Sequence, residues 1–295
     1  MPHTSRSALG ADPESQLRAC IETFVRESPA NCLQRLDGGP IFEAPLVAYA
    51  SGDDPLFQRY KEIIGPFHLT PREVLRLGAG GPAEDMSGGG VSVICWVLPI
   101  ARSTRESNRT QREEPSVRWA HTRHYGEQFN DALRRHVVET LRGAGYLAVA
   151  PVISPLFKIH GEGISHPPAS TWSERHVLYV AGLGTFSLSD GFITARGIAM
   201  RCGSVVTDLP LRPSTQPYVA HTANCLYLSE GTCGACIARC PAGAISAGGH
   251  DKQKCQAYTY GALLPWRERY QVDVVGCGLC QTGVPCEEEI PAKTR

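Results

Sequence analysis

What most constrains this chain is where its cysteines fall. There are twelve, and eight of them lie between Cys225 and Cys286, whereas Cys20, Cys32, Cys95 and Cys202 are scattered through the part before. The opening Met1-Pro-His-Thr-Ser-Arg-Ser7 has no basic stretch leading into an apolar run, and no twin arginines, so a secreted protein with a disulfide framework is not expected. No stretch approaches the ~18–20 uninterrupted apolar residues that would span a bilayer. A cytoplasmic chain with clustered thiols points to metal binding.

The spacing says which kind. The central run is Cys233-Gly-Ala-Cys236-Ile-Ala-Arg-Cys240-Pro, followed by an isolated Cys255, the pair Cys277-Gly-Leu-Cys280, and Cys286 after Val284-Pro285. A Cys-x-x-Cys turn sets two thiolates on neighbouring irons of one cubane, and in two-cluster ferredoxins the cysteine before the proline ligates the other cluster. Eight thiolates match two [4Fe–4S] clusters with none left over. The crossed arrangement gives Cys240, Cys255, Cys277 and Cys280 to one cluster. Cys233, Cys236 and Cys286 go to the other, with Cys225 as fourth ligand. Cys225 is the irregular member: Glu230 stands three residues before Cys233, where the usual run has a cysteine, so the chain must loop back. A three-cysteine cluster, or Cys202 reaching in, is the alternative. A four-thiolate zinc site built from the two Cys-x-x-Cys pairs is also open, but it leaves Cys225, Cys240, Cys255 and Cys286 without a purpose. Gly231, Gly234, Ala235, Gly243, Gly278 and Gly283 are small enough for backbone N–H groups to approach sulfur and tune a cluster.

The rest of the chain reads as strands alternating with helices, an α/β layer arrangement. Helices are expected over 12–27, from Asp54-Pro55, from Thr70-Pro-Arg-Glu73 with its capping-box spacing, over 117–142, and over 172–181. Strands are expected at 45–50, 91–98, 146–152 and 203–207, the second nearly all apolar as a central strand would be. The glycine-rich residues 78–90 read as a loop without the spacing of a phosphate-binding loop. The charged residues 101–115 read as a solvated loop or a lid.

Five stretches resemble the family that contains epoxyqueuosine reductase and the corrinoid reductive dehalogenases. They are Ala181-Gly-Leu-Gly-Thr-Phe186, Val206-Thr-Asp-Leu-Pro-Leu211, the run Cys233–Ile245, Lys254-Cys-Gln-Ala-Tyr258 and Gly276-Cys-Gly-Leu-Cys-Gln281. The resemblance implies a nitroreductase-like, corrinoid-binding α/β domain over residues 1–218 and a ferredoxin-like two-[4Fe–4S] module over residues 219–291. It implies a base-off cobalamin between them, reduced by the nearer cluster to the cob(I)alamin level, with Leu183, Gly184, Thr185, Thr207 and Asp208 at the cofactor. A ferredoxin or flavodoxin would supply electrons. None of the ten histidines sits in an Asp-x-His-x-x-Gly loop that would place an axial ligand on cobalt, which agrees. Ala148 stands where the family carries a proton-donating aspartate two residues before Ala-Pro, and Ser187-Leu-Ser189 replaces its Gly-Lys-Asn.

The expected function is therefore an iron–sulfur, cobalamin-dependent reductase acting on a small-molecule or protein-bound substrate. An electron-transfer or corrinoid-reactivating partner with no substrate of its own is the alternative, and clusters with a flavin or no second cofactor a third. The 29 basic and 29 acidic residues leave no global field for nucleic acid. For proton donation the richest polar run is Trp119-Ala-His-Thr-Arg-His-Tyr125. On a helix His121 and Tyr125 share a face, Tyr125 being the candidate donor and Arg123 the candidate holder of an anionic group. An exposed polar helix start is the plain alternative. His160, Glu162 and His166 lie in a loop after a strand, and Lys252 and Lys254 flank Cys255 as counter-charges or as surface lysines. Asp208 is expected to fix a turn.

Overall fold

The computed structural model describes residues 10, 12–79, 89–161 and 168–293. Its axis is β2, Ser92–Pro99, in which every residue is buried. Alternate side chains leave on opposite faces. Ile94, Trp96 and Leu98 enter a core shared with α1 (Pro13–Glu27) and α5 (Val117–Gly143). Val93, Cys95 and Val97 enter a second core under α2 (Pro55–Ile63), α3 (Pro71–Gly78) and α6 (Glu174–Val180). Burial on both faces explains why the strand reads as one apolar run.

The sheet is antiparallel throughout, in the order β1-β2-β8-β3. β1 (Leu46–Ser51) pairs Val47 with Trp96, and β8 (Met200–Thr207) pairs Gly203 with the same residue. A Cβ on Gly203 would lie 2.5 Å from the Trp96 indole, so the glycine makes room for the largest side chain of the core. β3 is only Ala148–Val149, shorter than the strand expected over 146–152. Pro151, with no N–H to give a ladder, opens a 3₁₀ turn over Pro151–Ile153 instead. Minor ladders join β4 (Ile159–His160) to β5 (Ala169–Ser170) and β6 (Gly184–Phe186) to β7 (Phe192–Thr194).

Helix starts follow their caps. Asp12 accepts from Ser15 N at 3.1 Å, Thr70 and Glu73 close a capping box, and Ser116 accepts from Trp119 N at 3.1 Å. Residues 101–115 are a correction: α4 (Arg102–Arg109) fills much of the stretch expected to be loop or lid, with Thr104, Arg105 and Asn108 buried. Its inward face is polar because it meets carboxylates of the C-terminal segment rather than an apolar core. The glycine-rich residues 80–88 lie outside the described residues.

Beyond Cys225 regular structure is short: α7 (Leu226–Glu230), α8 (Ala235–Ala238), the β9–β10 ladder (Ile245–Ser246 with Gly249–His250), α9 (Lys252–Ala257), a π turn over Tyr258–Ala262 and α10 (Trp266–Tyr270).

Candidate metal centre

All twelve thiols are free. Eight of them gather in two groups of four. The Cys286 thiol has Cys236, Cys225 and Cys233 as neighbours, and Cys236 has Cys225 and Cys233. Cys277 and Cys280 both have Cys255 and Cys240 beside them. This is the partition read from the spacing. Cys225 is delivered by the turn before α7, where Asn224 N donates to Thr185 Oγ1 at 2.9 Å and Asn224 Nδ2 to the Ile193 carbonyl at 3.1 Å. Cys202 lies elsewhere, beside Cys95 and Glu174.

The surroundings suit a cluster. Cys225, Cys233, Cys236 and Cys286 line a cavity of about 30 Å³ walled by Ile193, Ile198, Ala235 and Val284. Burial in such walls disfavours a thiolate, and the neighbouring cysteines add to the effect. Cys236 is pushed up to about 11, Cys286 to about 12 and Cys277 to about 11, with Cys280 also raised. Soft sulfur donors around a small dry volume fit iron, whose positive charge offsets both penalties. Backbone N–H groups do reach sulfur: Ala244 N lies 3.3 Å from Cys240 Sγ, and the Leu279 N–H bonds Cys277. Among the described residues no three His, Cys, Asp or Glu side chains are close enough to grip a single ion. The two Cys-x-x-Cys pairs needed for one zinc site fall in different groups.

A polar seam fixes this segment to the layer domain. Arg239 Nε donates to the carbonyls of Leu279 (3.2 Å) and Thr282 (2.9 Å), Nη1 to Gln111 O (2.7 Å) and Nη2 to Asn108 O (3.2 Å). Arg109 bonds the buried Glu287 through both carboxylate oxygens at 2.8 Å, and Arg105 bonds Glu288 at 2.8 Å. Gly278 is forced by its surroundings: its φ is +65°, and a Cβ would sit 2.0 Å from the Trp119 ring.

The remaining candidates fall in several places. His121 is buried, its Nε2 2.9 Å from the Tyr270 carbonyl, and Tyr125 packs partly buried against the apolar cluster of Leu263, Tyr270, Val272 and Val275, with its ring 5.6 Å from that of His121. The exposed polar helix start is thus corrected for these two, because α10 and the chain after it cover that face of α5. Leu183, Gly184 and Thr185 lie beside the first group of cysteines through the Thr185–Asn224 bond. Thr207 and Asp208 are at the other end of β8, where Thr207 Oγ1 donates to Leu147 O (2.7 Å) and Asp208 Oδ1 accepts from Leu147 N (2.8 Å). Asp208 thus ties the end of β8 to the chain before β3, a long-range link rather than the local turn expected of it. His160 is exposed and stacks on Phe67, while Glu162 and His166 lie outside the described residues. Lys252 and Lys254 face Asp190 (4.0 Å) and Asp251 (3.9 Å).

Two features carry no local sequence signal. His250 Nδ1 lies 3.1 Å from Asp190 Oδ2, and its ring also bonds Cys255. Those bonds hold the imidazole up at about 9, and the bond from His250 holds the Cys255 thiol below its usual value. Arg134, buried on α5, gathers Asp131 (2.7 Å), Glu127 (3.0 Å) and Glu174 (3.3 Å). Glu174, which also accepts from Ser204 Oγ at 2.6 Å, is raised by burial despite Arg134.

Fold and site together define an α/β layer protein whose C-terminal segment presents two cysteine quartets suited to iron–sulfur clusters. No family model matches the chain. It is 34% identical over 119 residues to an epoxyqueuosine reductase of Bacillus anthracis, a match covering 38% of this chain and 29% of that protein. The solved structure of epoxyqueuosine reductase with an epoxyqueuosine-modified tRNA-Tyr stem loop aligns with 93% of this chain and 65% of its own, at TM-score 0.50 and 14% identity, which shows a shared fold. A catabolic reductive dehalogenase aligns with 94% of this chain and 37% of its own, at TM-score 0.47 and 16% identity. The sequence similarity to that curated epoxyqueuosine reductase covers less than a third of its length. Among the described residues no helix is long and apolar enough to cross a membrane.

Proposed function

We propose that this chain is a cytoplasmic iron–sulfur reductase that binds cobalamin, with residues 219–291 as the electron-transfer module and residues 1–218 as the cofactor and substrate domain. Cys225, Cys233, Cys236 and Cys286 hold one [4Fe–4S] cluster, and Cys240, Cys255, Cys277 and Cys280 the other. The observation that carries this reading is the gathering of eight free thiols into two quartets beside a layer of that fold. The clusters supply single electrons, and a base-off cobalamin supplies a nucleophilic cobalt for reductive cleavage. The protein's own groups prepare the path. Cys280 has Cys236 among its neighbours, so the quartets adjoin, and the apolar walls around the first keep water from it. Arg239 locks the loop carrying Cys277 and Cys280 to α4, which holds the second quartet at a fixed place against the layer domain. A ferredoxin or flavodoxin is the electron donor in this reading.

One observation favours a second reading, a corrinoid-reactivating or electron-transfer partner without its own substrate. Ala148 is buried, and its carbonyl is taken by Arg142 Nη2 at 2.9 Å, so the proton donor of the family has no counterpart at that position. Anaerobic purification followed by iron and sulfide assay tests the clusters, with about eight of each expected per chain. A colourless, zinc-loaded preparation would overturn them. Cobalamin is then added and its base-off absorption and EPR signals sought; failure to bind removes the corrinoid from the reading. Tight binding without turnover of organic substrates favours the partner role.

A further inference from the structure

Beside the seam one arginine is left over. Among the described residues no hydrogen bond or ion pair reaches the Arg201 side chain, and its Nε is buried. Other arginines with a buried free Nε differ, because their terminal nitrogens are engaged: Arg105 with Glu43 and Glu288, Arg134 with Glu127, Asp131 and Glu174. A half-buried guanidinium with no acceptor is costly, and its five N–H groups ask for a partner.

Its position says where the partner would come from. β8 pairs with β3 only at Val206 and Thr207, so on that side the strand is open at Arg201. Its register partner is Leu98, which faces the α5 core. The charge acting on Arg201 most strongly is a second guanidinium, Arg123 of α5, ahead of Glu127. Arg123 makes only a loose approach to Glu127 at 3.9 Å, and Glu127 is already bonded by Arg134 at 3.0 Å. The Arg123 stem lies on the loop of the second quartet: a Cβ on Gly276 would be 2.8 Å from its Cγ. Tyr260, well exposed, is another group whose charge acts on Arg201. Two like charges thus act on each other where the Arg123 stem meets the loop that carries Cys277.

We propose that Arg201 and Arg123 form an anion subsite that takes a phosphate group at the notch between α5, the open edge of β8 and the Cys277 loop. A tetrahedral dianion can accept from two guanidinium forks at once, and its double charge matches the two cations. The phosphate belongs either to the substrate or to the nucleotide tail of a corrinoid. This rests on the reading that the notch is where substrate and cofactor meet the clusters.

The test is a calorimetric titration of the anaerobically purified, cluster-loaded protein with inorganic phosphate at low ionic strength. Binding should weaken at least about tenfold in Arg201→Gln and again in Arg123→Gln, with Arg201→Lys in between, while iron content and visible spectrum stay unchanged. Phosphate bound equally well by Arg201→Gln, or not at all by the native chain up to about 10 mM, overturns the proposal. So does a shifted cluster potential in Arg201→Gln when the native chain binds no phosphate, for then the guanidinium is only a counter-charge to the cluster. Competition of phosphate with cobalamin, but not with a corrinoid lacking the nucleotide tail, assigns the site to the cofactor; competition with neither assigns it to the substrate. Iron assay is independent of these arms, so loss of the clusters and loss of the anion site are told apart.

Discussion

The sheet layers of this molecule and the shorter segment after Cys225 are held together by different forces. The layer domain buries Trp96, Trp172, Phe57 and Phe129 on the two faces of one sheet, and even its polar partners are internal: Trp96 Nε1 donates to Asn130 at 2.9 Å and Trp172 Nε1 to Ser204 at 3.0 Å. Such a core stands on apolar burial alone. After Cys225 the apolar clusters are small, and sulfur occupies the places that leucine or phenylalanine fill elsewhere. A segment of that kind owes its shape to what its thiols hold. Between them lies a seam of arginines, carboxylates and carbonyls. The first region should therefore survive loss of metal, and the second should not.

The sharpest way to break that contrast is Cys280→Ser. We expect about half the iron to be lost, because one quartet loses a ligand, and hydrogen exchange to rise across residues 226–290 while amides of β2 and β8 stay protected. Simultaneous melting of the sheet would show that the two regions are one cooperative unit. Arg239→Met probes the seam itself. It leaves the carbonyls of Asn108, Gln111, Leu279 and Thr282 without their donor, and should cost on the order of 3 kcal/mol in the denaturant midpoint. A change well below 1 kcal/mol would mean the segment docks without it.

Acid sharpens the contrast from the other side. Burial holds His68 down at about 4 and His176 at about 3 in the second core, against an ordinary value of 6.5. As pH falls below 6.5 the unfolded chain takes up protons that the folded histidines refuse, so stability is lost progressively down to those folded values. We expect a loss of about 2 kcal/mol between pH 7 and pH 5.5, reported by tryptophan fluorescence, since the Trp172 ring stacks on His68. The variant His68→Gln/His176→Gln should flatten that slope, and an unchanged slope would place the acid sensitivity outside the layer domain.

Legibility in the sequence followed the same division. Elements whose pattern is local were readable: the β2 run and the Asp12 and Thr70 caps. What could not be read was every feature resting on pairing across the chain. Residues 101–115 look like solvated loop because their charges are visible and their partners, Glu287 and Glu288, lie at the other end of the sequence. Likewise nothing near Asp190 announces that it supports His250 against Cys255, and nothing near Arg201 shows that Glu127 is taken by Arg134. β3 ended early because Pro151 removes a donor, a local signal outweighed by the apolar run around it.

The smallest expected effect concerns Tyr125, whose helix face the sequence offers to solvent first and to catalysis second. The structure gives it a third place, against the apolar cluster of Leu263, Tyr270 and Val272, with the Arg35 guanidinium 6.0 Å from its ring centre. If the ring matters and the hydroxyl does not, Tyr125→Phe should shift the denaturant midpoint by no more than about 0.5 kcal/mol, whereas Tyr125→Ala should cost about 2 kcal/mol and loosen the chain after α10. Iron content should be the same in the native protein and in Tyr125→Phe. A proton donor behaves otherwise: its loss slows reductive turnover roughly a hundredfold or more while leaving the midpoint untouched, and Phe would then be as harmful to turnover as Ala. The two variants measured side by side separate a residue that positions α5 against the thiol-rich segment from one that delivers a proton.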